Sequence, residues 1–371
     1  MITPRVVVGL LVAAIVSLTA AAWSYSSNHQ WTALDAGGEA MLPGLDQRLG
    51  DVAAIEVKDP AGAITLKRDG SVWRIANQDG YPADTQRVHA LLITLAELKR
   101  IEPKTDRPDR YGVLGVGAPD KPDTEGAGTL VTLKAQDDAT LAALIVGSLR
   151  AQRLGERGAP GVSGTYVRMP DQAQSWLVSQ DVEVSSRLDR WVSTNVLGLR
   201  RDQIAEAVIT PAGQPPMMLK RKGSAEGEQT FTIENLPANR QPKSSSGPML
   251  AATDFAGLSF DAVRKLQDEG GSPASTVALA TTDGMRLKLV LTKSGDESWL
   301  AVTQLAPGEN KDASSALVRR TQGWQFRLSD AAAKPFFPSL NDLTEARPAP
   351  NPEATPPEAA PPSQPAPSQA E

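Results

Sequence analysis

A chain of 371 residues has room for roughly two domains of about 150 residues plus tails, and its 30 glycines and 29 prolines make it turn-rich. The net charge of −5, with Lys and Arg dispersed among the acids, argues against a nucleic-acid binder, which carries a basic stripe. The lack of cysteine excludes disulfides, thiolate metal sites, a cysteine nucleophile and a lipid-modified N-terminal cysteine, and His29 and His89 alone are poor material for a histidine metal site or a Ser-His-Asp triad.

In chain order, Arg5 precedes an uncharged run from Val6 to Ala22 that includes Leu10, Leu11, Ile15 and Leu18, with Trp23 and Tyr25 at its far end. As a helix Val6 to Tyr25 is about 30 Å long, enough to cross the hydrocarbon core of a bilayer, with Trp23 at the interface. Residues 1–27 are therefore expected to form a membrane anchor. The competing reading is a cleaved signal peptide, because Ala20-Ala21-Ala22 offers a small-residue cleavage site. The retained anchor is preferred, since the run is long for a signal core and the basic region before it is thin. Arg5 and the terminal amine favour a cytoplasmic N-terminus. The expected location is thus the bacterial inner membrane, single-pass, with the main body in the periplasm, and residues 28–51 form a polar linker.

From Val52 the alternation Ile55, Val57, then Ile64, Leu66, then Val72-Trp73-Arg74-Ile75 spells a three-stranded meander with turns at Asp59-Pro60-Ala61-Gly62 and Asp69-Gly70. Pro82-Ala83-Asp84 signals a helix start, and Val88, Leu91, Leu92, Leu95 and Leu98 give the following helix one apolar face for that sheet. A long loop over Glu102–Ala127 follows. Strands are expected at Leu130–Leu133, Leu141–Val146, Thr165–Arg168 and Trp176–Val178, and a helix at Val182–Trp191.

A second round of similar elements begins near Ile204. Ile204–Gly213 resembles Val52–Gly62, both followed by Leu-Lys-Arg, and Gly164–Asp171 aligns without gaps with Gly323–Asp330. The fold class expected is α+β, with two related, mostly antiparallel sheet-plus-helix domains over residues 52–198 and 199–346. In the second copy Ala238–Pro248 reads as a loop where the helix should stand, and Leu250–Leu266 is helical only in part. Residues 347–371, almost all Pro, Ala, Glu, Ser and Gln, read as a disordered tail.

The apolar start, the Gly70-Ser71-Val72-Trp73-Arg74-Ile75 strand, Pro82-Ala83-Asp84 with its Leu-rich helix, and Tyr166-Val167-Arg168 together resemble the DUF4340 family of bacterial envelope proteins. The resemblance implies an association with ABC-type transporters, whose permease and ATPase subunits are the partners it suggests. It carries over no catalytic pattern, cofactor or metal.

The chain has no Gly-x-x-x-x-Gly-Lys-Ser/Thr stretch for ATP. Gly161-Val162-Ser163-Gly164 is one residue short of a serine elbow and reads as loop. Asp106, Asp109, Asp120 and Asp123, interleaved with Lys, Arg and Pro, read as a solvated loop rather than a calcium site. Trp73, Trp176, Trp191, Trp299 and Trp324 read as core anchors rather than a sugar or lipid groove. Arg168 with Asp171, and Arg327 with Asp330, are expected surface ion pairs. The function these features imply is a non-enzymatic extracytoplasmic auxiliary subunit of an ABC-type transport complex. The alternatives are an envelope scaffold tethered to the inner membrane and, third, a hydrolase of envelope polymers.

Overall fold

The computed structural model describes residues 38–120, 126–150, 164–223, 229–267 and 272–348. Val6, Leu10, Leu11, Ile15, Leu18 and Trp23, with the rest of the expected anchor and residues 28–37 of the linker, lie outside the described residues, as do residues 349–371; the remainder of the expected linker is part of the body, with Met41, Leu42 and Leu45 buried in its core. No helix among the described residues is long and apolar enough to cross a membrane.

The chain enters along the edge of a sheet, where Met41 N donates to Leu98 O and Arg100 N donates to Glu39 O. After a helical turn, α1 (Leu45–Arg48), comes the meander β1 (Ala54–Asp59), β2 (Gly62–Asp69) and β3 (Val72–Ile75). Its alternation puts Ile55, Val57, Ile64, Leu66, Trp73 and Ile75 in the core. Gly70 supplies the positive φ of the β2–β3 turn. A two-residue strand, β4 (Tyr81–Pro82), leads into α2 (Thr85–Glu97), whose first turn is capped by the Asp84 carboxylate accepting from the backbone of Gln86 and Arg87. Val88, Leu91, Leu92 and Leu95 bury the sheet-facing side of α2. The unit continues with β5 (Arg100–Pro103), a single turn α3 (Tyr111–Leu114), β6 (Thr129–Lys134), β7 (Thr140–Arg150), β8 (Gly164–Arg168) and β9 (Ser175–Val178).

The second unit runs β10 (Ile204–Pro211), β11 (Met217–Gly223), β12 (Gln229–Ile233), β13 (Arg240–Pro242), α4 (Ser246–Thr253), β14 (Ala262–Lys265), β15 (Ser275–Thr281), β16 (Arg286–Ser294), β17 (Glu297–Ala306), α5 (Lys311–Thr321), β18 (Trp324–Leu328), two short turns α6 (Asp330–Ala333) and α7 (Leu340–Leu343), and β19 (Thr344–Ala346). The fold is mixed α+β, and every pairing between these strands is antiparallel.

The first sheet has the order β4-β3-β2-β1-β6-β7-β8-β9-β5 and the second β12-β11-β10-β15-β16-β17-β18-β14. Without β4 the two orders coincide, strand for strand, with α2 and α4 each preceding the last edge strand. This equivalence corrects the ungapped alignment of Gly164–Asp171 with Gly323–Asp330: β8 lies between β7 and β9, whereas β18 lies between β17 and β14, the place that β9 holds in the first sheet. Local similarity of two short strands misled because inward and outward residues alternate in any strand.

Two other expectations change. Val182–Trp191 is not a helix, apart from a 3-10 turn at Leu188–Arg190, because its groups are engaged elsewhere. Val182 N donates to Thr165 Oγ1, Ser186 N donates to Asp59, and Trp191 Nε1 donates to Ser185 O. In the second unit a helix does stand at the expected place. α4 begins at Ser246 inside the expected loop, since Pro248 falls in its first turn, where a missing N–H costs nothing. Val263 belongs to β14.

One hydrophobic core runs through both units, and its seam is closed by the turn between β3 and β4. Tyr81 stands edge-on to Trp324, with ring centroids 5.0 Å apart, and to Phe326 and Phe260 at 6.1 Å each. Beside it, Val263 N donates to Gln78 Oε1 and Lys265 N donates to Asp79 Oδ2, at 2.8 and 3.0 Å, so the first unit satisfies the outer edge of β14. The connecting segment is tied as well: Val196 N donates to Leu258 O, and Arg320 donates to the carbonyls of Val196 and Leu197. Tyr81→Ala is expected to cost about 3 kcal/mol or more, as aromatic-to-alanine changes in cores do. Urea unfolding measures it, and a loss below about 1 kcal/mol would show that the aromatic cluster does not hold the units together.

Candidate functional site

A surface groove of about 590 Å³ lies between α2 and the irregular segment 181–191, and is lined by Arg87, Ala90, Leu91, Thr94, Asp181, Glu183, Val184, Asp189, Arg190 and Trp191. Its far wall is irregular for the reason given above, and Asp59 is what fixes it. The carboxylate, at the β1–β2 turn, accepts from Ala61 N, Gly62 N, Ser185 Oγ, Ser186 N and Ser186 Oγ. Burial pushes this carboxyl up, but the Ser186 hydroxyl and amide, with Ser185 and Ala61, outweigh it and hold the group below the usual carboxylate range. On the helix side, Arg87 donates to the carbonyls of Asp189 and Val192 and lies 3.3 Å from Asp84.

Two of the groove's acids are spent on neighbouring arginines. Arg187 grips Asp189 at 2.7 Å and Arg190 grips Glu183 at 2.9 Å. Hydrogen bonding from Arg187 draws the Asp189 carboxyl below its usual range. The same direction holds for Asp109 and Asp202, each beside an arginine, for Asp283, bonded by the Thr281 hydroxyl, and for Glu297, bonded by Arg327 and Trp299. A general acid near neutral pH needs the opposite displacement. These carboxylates are therefore suited to holding ionic contacts.

The sequence-expected sites sort as follows. His89 is exposed on α2. Ser163 and Asp123 lie outside the described residues, and no cluster of metal-ligating side chains occurs among the described residues. Trp73, Trp191 and Trp299 are buried, while the half-buried Trp176 and Trp324 pack against the core. Trp176 and Trp299 carry Arg100 and Arg264 over their rings at 5.0 and 3.8 Å.

The two expected ion pairs do not form. Arg327 instead bonds Asp261 and Glu297, because β14 and the start of β17 flank it in the sheet. Arg168 is buried and donates to the carbonyls of Val116, Met169, Pro170 and Gln172, with its guanidinium 4.4 Å from the centre of the Tyr111 ring. Tyr111 in turn donates to Ala173 O at 2.6 Å. A cation satisfied by carbonyls rather than by an acid cannot be foreseen from spacing. In the sequence, only an arginine ending an otherwise apolar strand hinted at it.

The family described as Domain of unknown function (DUF4340) matches residues 73–270 of the chain. No curated protein and no solved structure matches it.

Two outcomes are expected from this geometry. Asp59→Asn should cost about 1–2 kcal/mol at neutral pH, at the low end for charge-assisted bonds because solvent screens the carboxylate. The folded-state pKa of Asp59 lies below its unfolded value, so its contribution is complete above about pH 4 and is lost as pH falls through the folded value. As pH falls below about 4 the wild type should therefore lose more stability than the variant in parallel urea titrations. Arg168→Lys keeps the charge but cannot span four carbonyls, and should cost about 2 kcal/mol in the same assay.

Proposed function

The chain belongs to the DUF4340 family, and from that premise we propose that it is a non-enzymatic, extracytoplasmic auxiliary subunit of an ABC-type transport complex. It would be anchored in the bacterial inner membrane by Val6 to Trp23 and act by contact, with its body in the periplasm. The two sheets, in this reading, are copies of one ancestral unit that together form a rigid contact platform. The observation that carries it is the junction of an uncharged leader run with a body whose seam is closed by aromatic packing and backbone bonds. Such a body presents fixed surfaces, which suits recognition of a protein partner or a substrate. Supporting this, the charged groove beside α2 carries the ion pairs Arg187–Asp189 and Arg190–Glu183, which a partner can extend.

A second reading, an envelope scaffold, is favoured by one feature. β19 pairs with β13, and Arg347 N donates to Asn239 O, so the Pro/Ala-rich tail leaves from a clasped strand, as a tether would.

Crosslinking in intact cells followed by detergent solubilisation and pull-down should recover a permease and an ATPase subunit; recovery of neither in repeated trials would sink the transporter reading. Deleting Arg347–Glu371 separates the two. Loss of partner recovery with an unchanged unfolding midpoint favours the tether, and undiminished recovery favours the platform.

A further inference from the structure

We infer that the face formed by the end of β5 and the α3 turn rests on the headgroups of an anionic phospholipid surface, with Val113 directed into it. This deepens, and rests on, the anchored reading above. Three observations meet at this face. The first is exposure: among the described large apolar side chains, Val113 is the most exposed, at 78%. It sits on α3 beside an open cleft of about 470 Å³ lined also by Glu102, Lys104, Arg107, Arg110 and Leu114.

The second is rigidity. α3 is a single turn between loops, yet the ring of Tyr111 at its start is held by the Arg168 guanidinium, and Arg168 also ties down Val116 beyond its end. A buried cation without an acid partner is a costly device, and what it positions is the turn that exposes Val113. The same guanidinium fastens this turn to the one that joins β8 and β9, through the carbonyls of Met169, Pro170 and Gln172.

The third is reach. The chain enters the body at Glu39, whose carbonyl accepts from Arg100 N at the start of β5, and Lys104 follows the end of that strand. From Trp23 to Glu39 the backbone spans at most about 55 Å. A body held so close meets the bilayer at high effective concentration, so a weak surface contact is enough to orient it. Arg107 and Arg110 share the single carboxylate of Asp109, at 2.9 and 3.7 Å, and Arg150 and Lys104 share Glu102, so each carboxylate leaves cationic charge over for lipid phosphates. Asp106, also exposed in this loop, reduces that excess without cancelling it.

The lack of native cysteine makes the test direct. Full-length chain carrying a single environment-sensitive fluorophore at Val113→Cys, at Met218→Cys on the other unit, or at Ala14→Cys in the leader is reconstituted into phosphatidylcholine vesicles, with or without about one third phosphatidylglycerol, and quenched by headgroup-proximal spin-labelled lipid. The expected result is quenching at position 113 at least two-fold stronger with phosphatidylglycerol than without, little at 218, and loss of the effect in Arg107→Glu/Arg110→Glu, whose exposed side chains leave the far-UV spectrum unchanged. If position 14 is quenched while 113 stays as unquenched as 218, the lipid-facing surface is refuted and the anchor stands. If position 14 is not quenched and the chain fails to float with the vesicles, the anchor reading falls and this inference falls with it.

Discussion

The constraint on which the rest of the structure depends is the free edge of β14. An edge strand displays unpaired N–H groups that invite another strand. Here two of them, on Val263 and Lys265, are taken by the side chains of Gln78 and Asp79, which belong to the other unit. Those side chains reach the edge because Asp79 adopts a left-handed backbone conformation, φ 51°, in the turn before β4. The same turn delivers Tyr81 into the aromatic cluster of the second unit, where burial pushes its phenol up to about 12 although Arg320 pulls the other way. Hydrogen bonding fixes the register of the seam and aromatic packing supplies its apolar area. The first unit spends β4 on this contact, which explains why the otherwise matching strand orders differ by that one strand.

The equivalent segment of the second unit, β13, is used in another way. It pairs with β19 instead of covering β12. The two units thus share a scheme of sheet order and helix placement, and diverge in the extended segment that follows the meander. In one unit that segment joins the halves, and in the other it clasps the start of the C-terminal stretch. A difference confined to one connecting element gives the two units different attachments while the shared core stays continuous.

The charged side chains follow a common logic. Arginines at positions 187, 200 and 107 each grip an aspartate two residues on, at 2.7 to 2.9 Å. Such local pairs are exposed and add little stability, but they leave the surface densely ionic and geometrically defined. Asp59 and Arg168 differ from them. Each satisfies several backbone or hydroxyl groups of an irregular segment, and so fixes loops that strand and helix periodicity leave undetermined: 181–191 in one case and 111–116 with 169–173 in the other. The surfaces with most scope for contact are carried by these two loops.

The sequence by itself determined the meander of β1 to β3, the capped helix α2, the antiparallel α+β class, and the burial of Trp73 and Trp191. These follow from alternation, turn residues and helical spacing, all local signals that need no partner. It failed at Val182–Trp191, at α4, at the partners of Arg168 and Arg327, and at the match of β8 with β18, although it matched β10 to β1 correctly. Each failure has the same cause. Whether Ser185 and Ser186 continue a helix or bond a distant aspartate, and whether an arginine pairs with an acid three residues on or with carbonyls across a loop, is settled by which groups the folded chain brings within hydrogen-bond distance. That proximity is a property of the tertiary structure, because the competing local and distant bonds are of similar strength and only the assembled sheets decide between them.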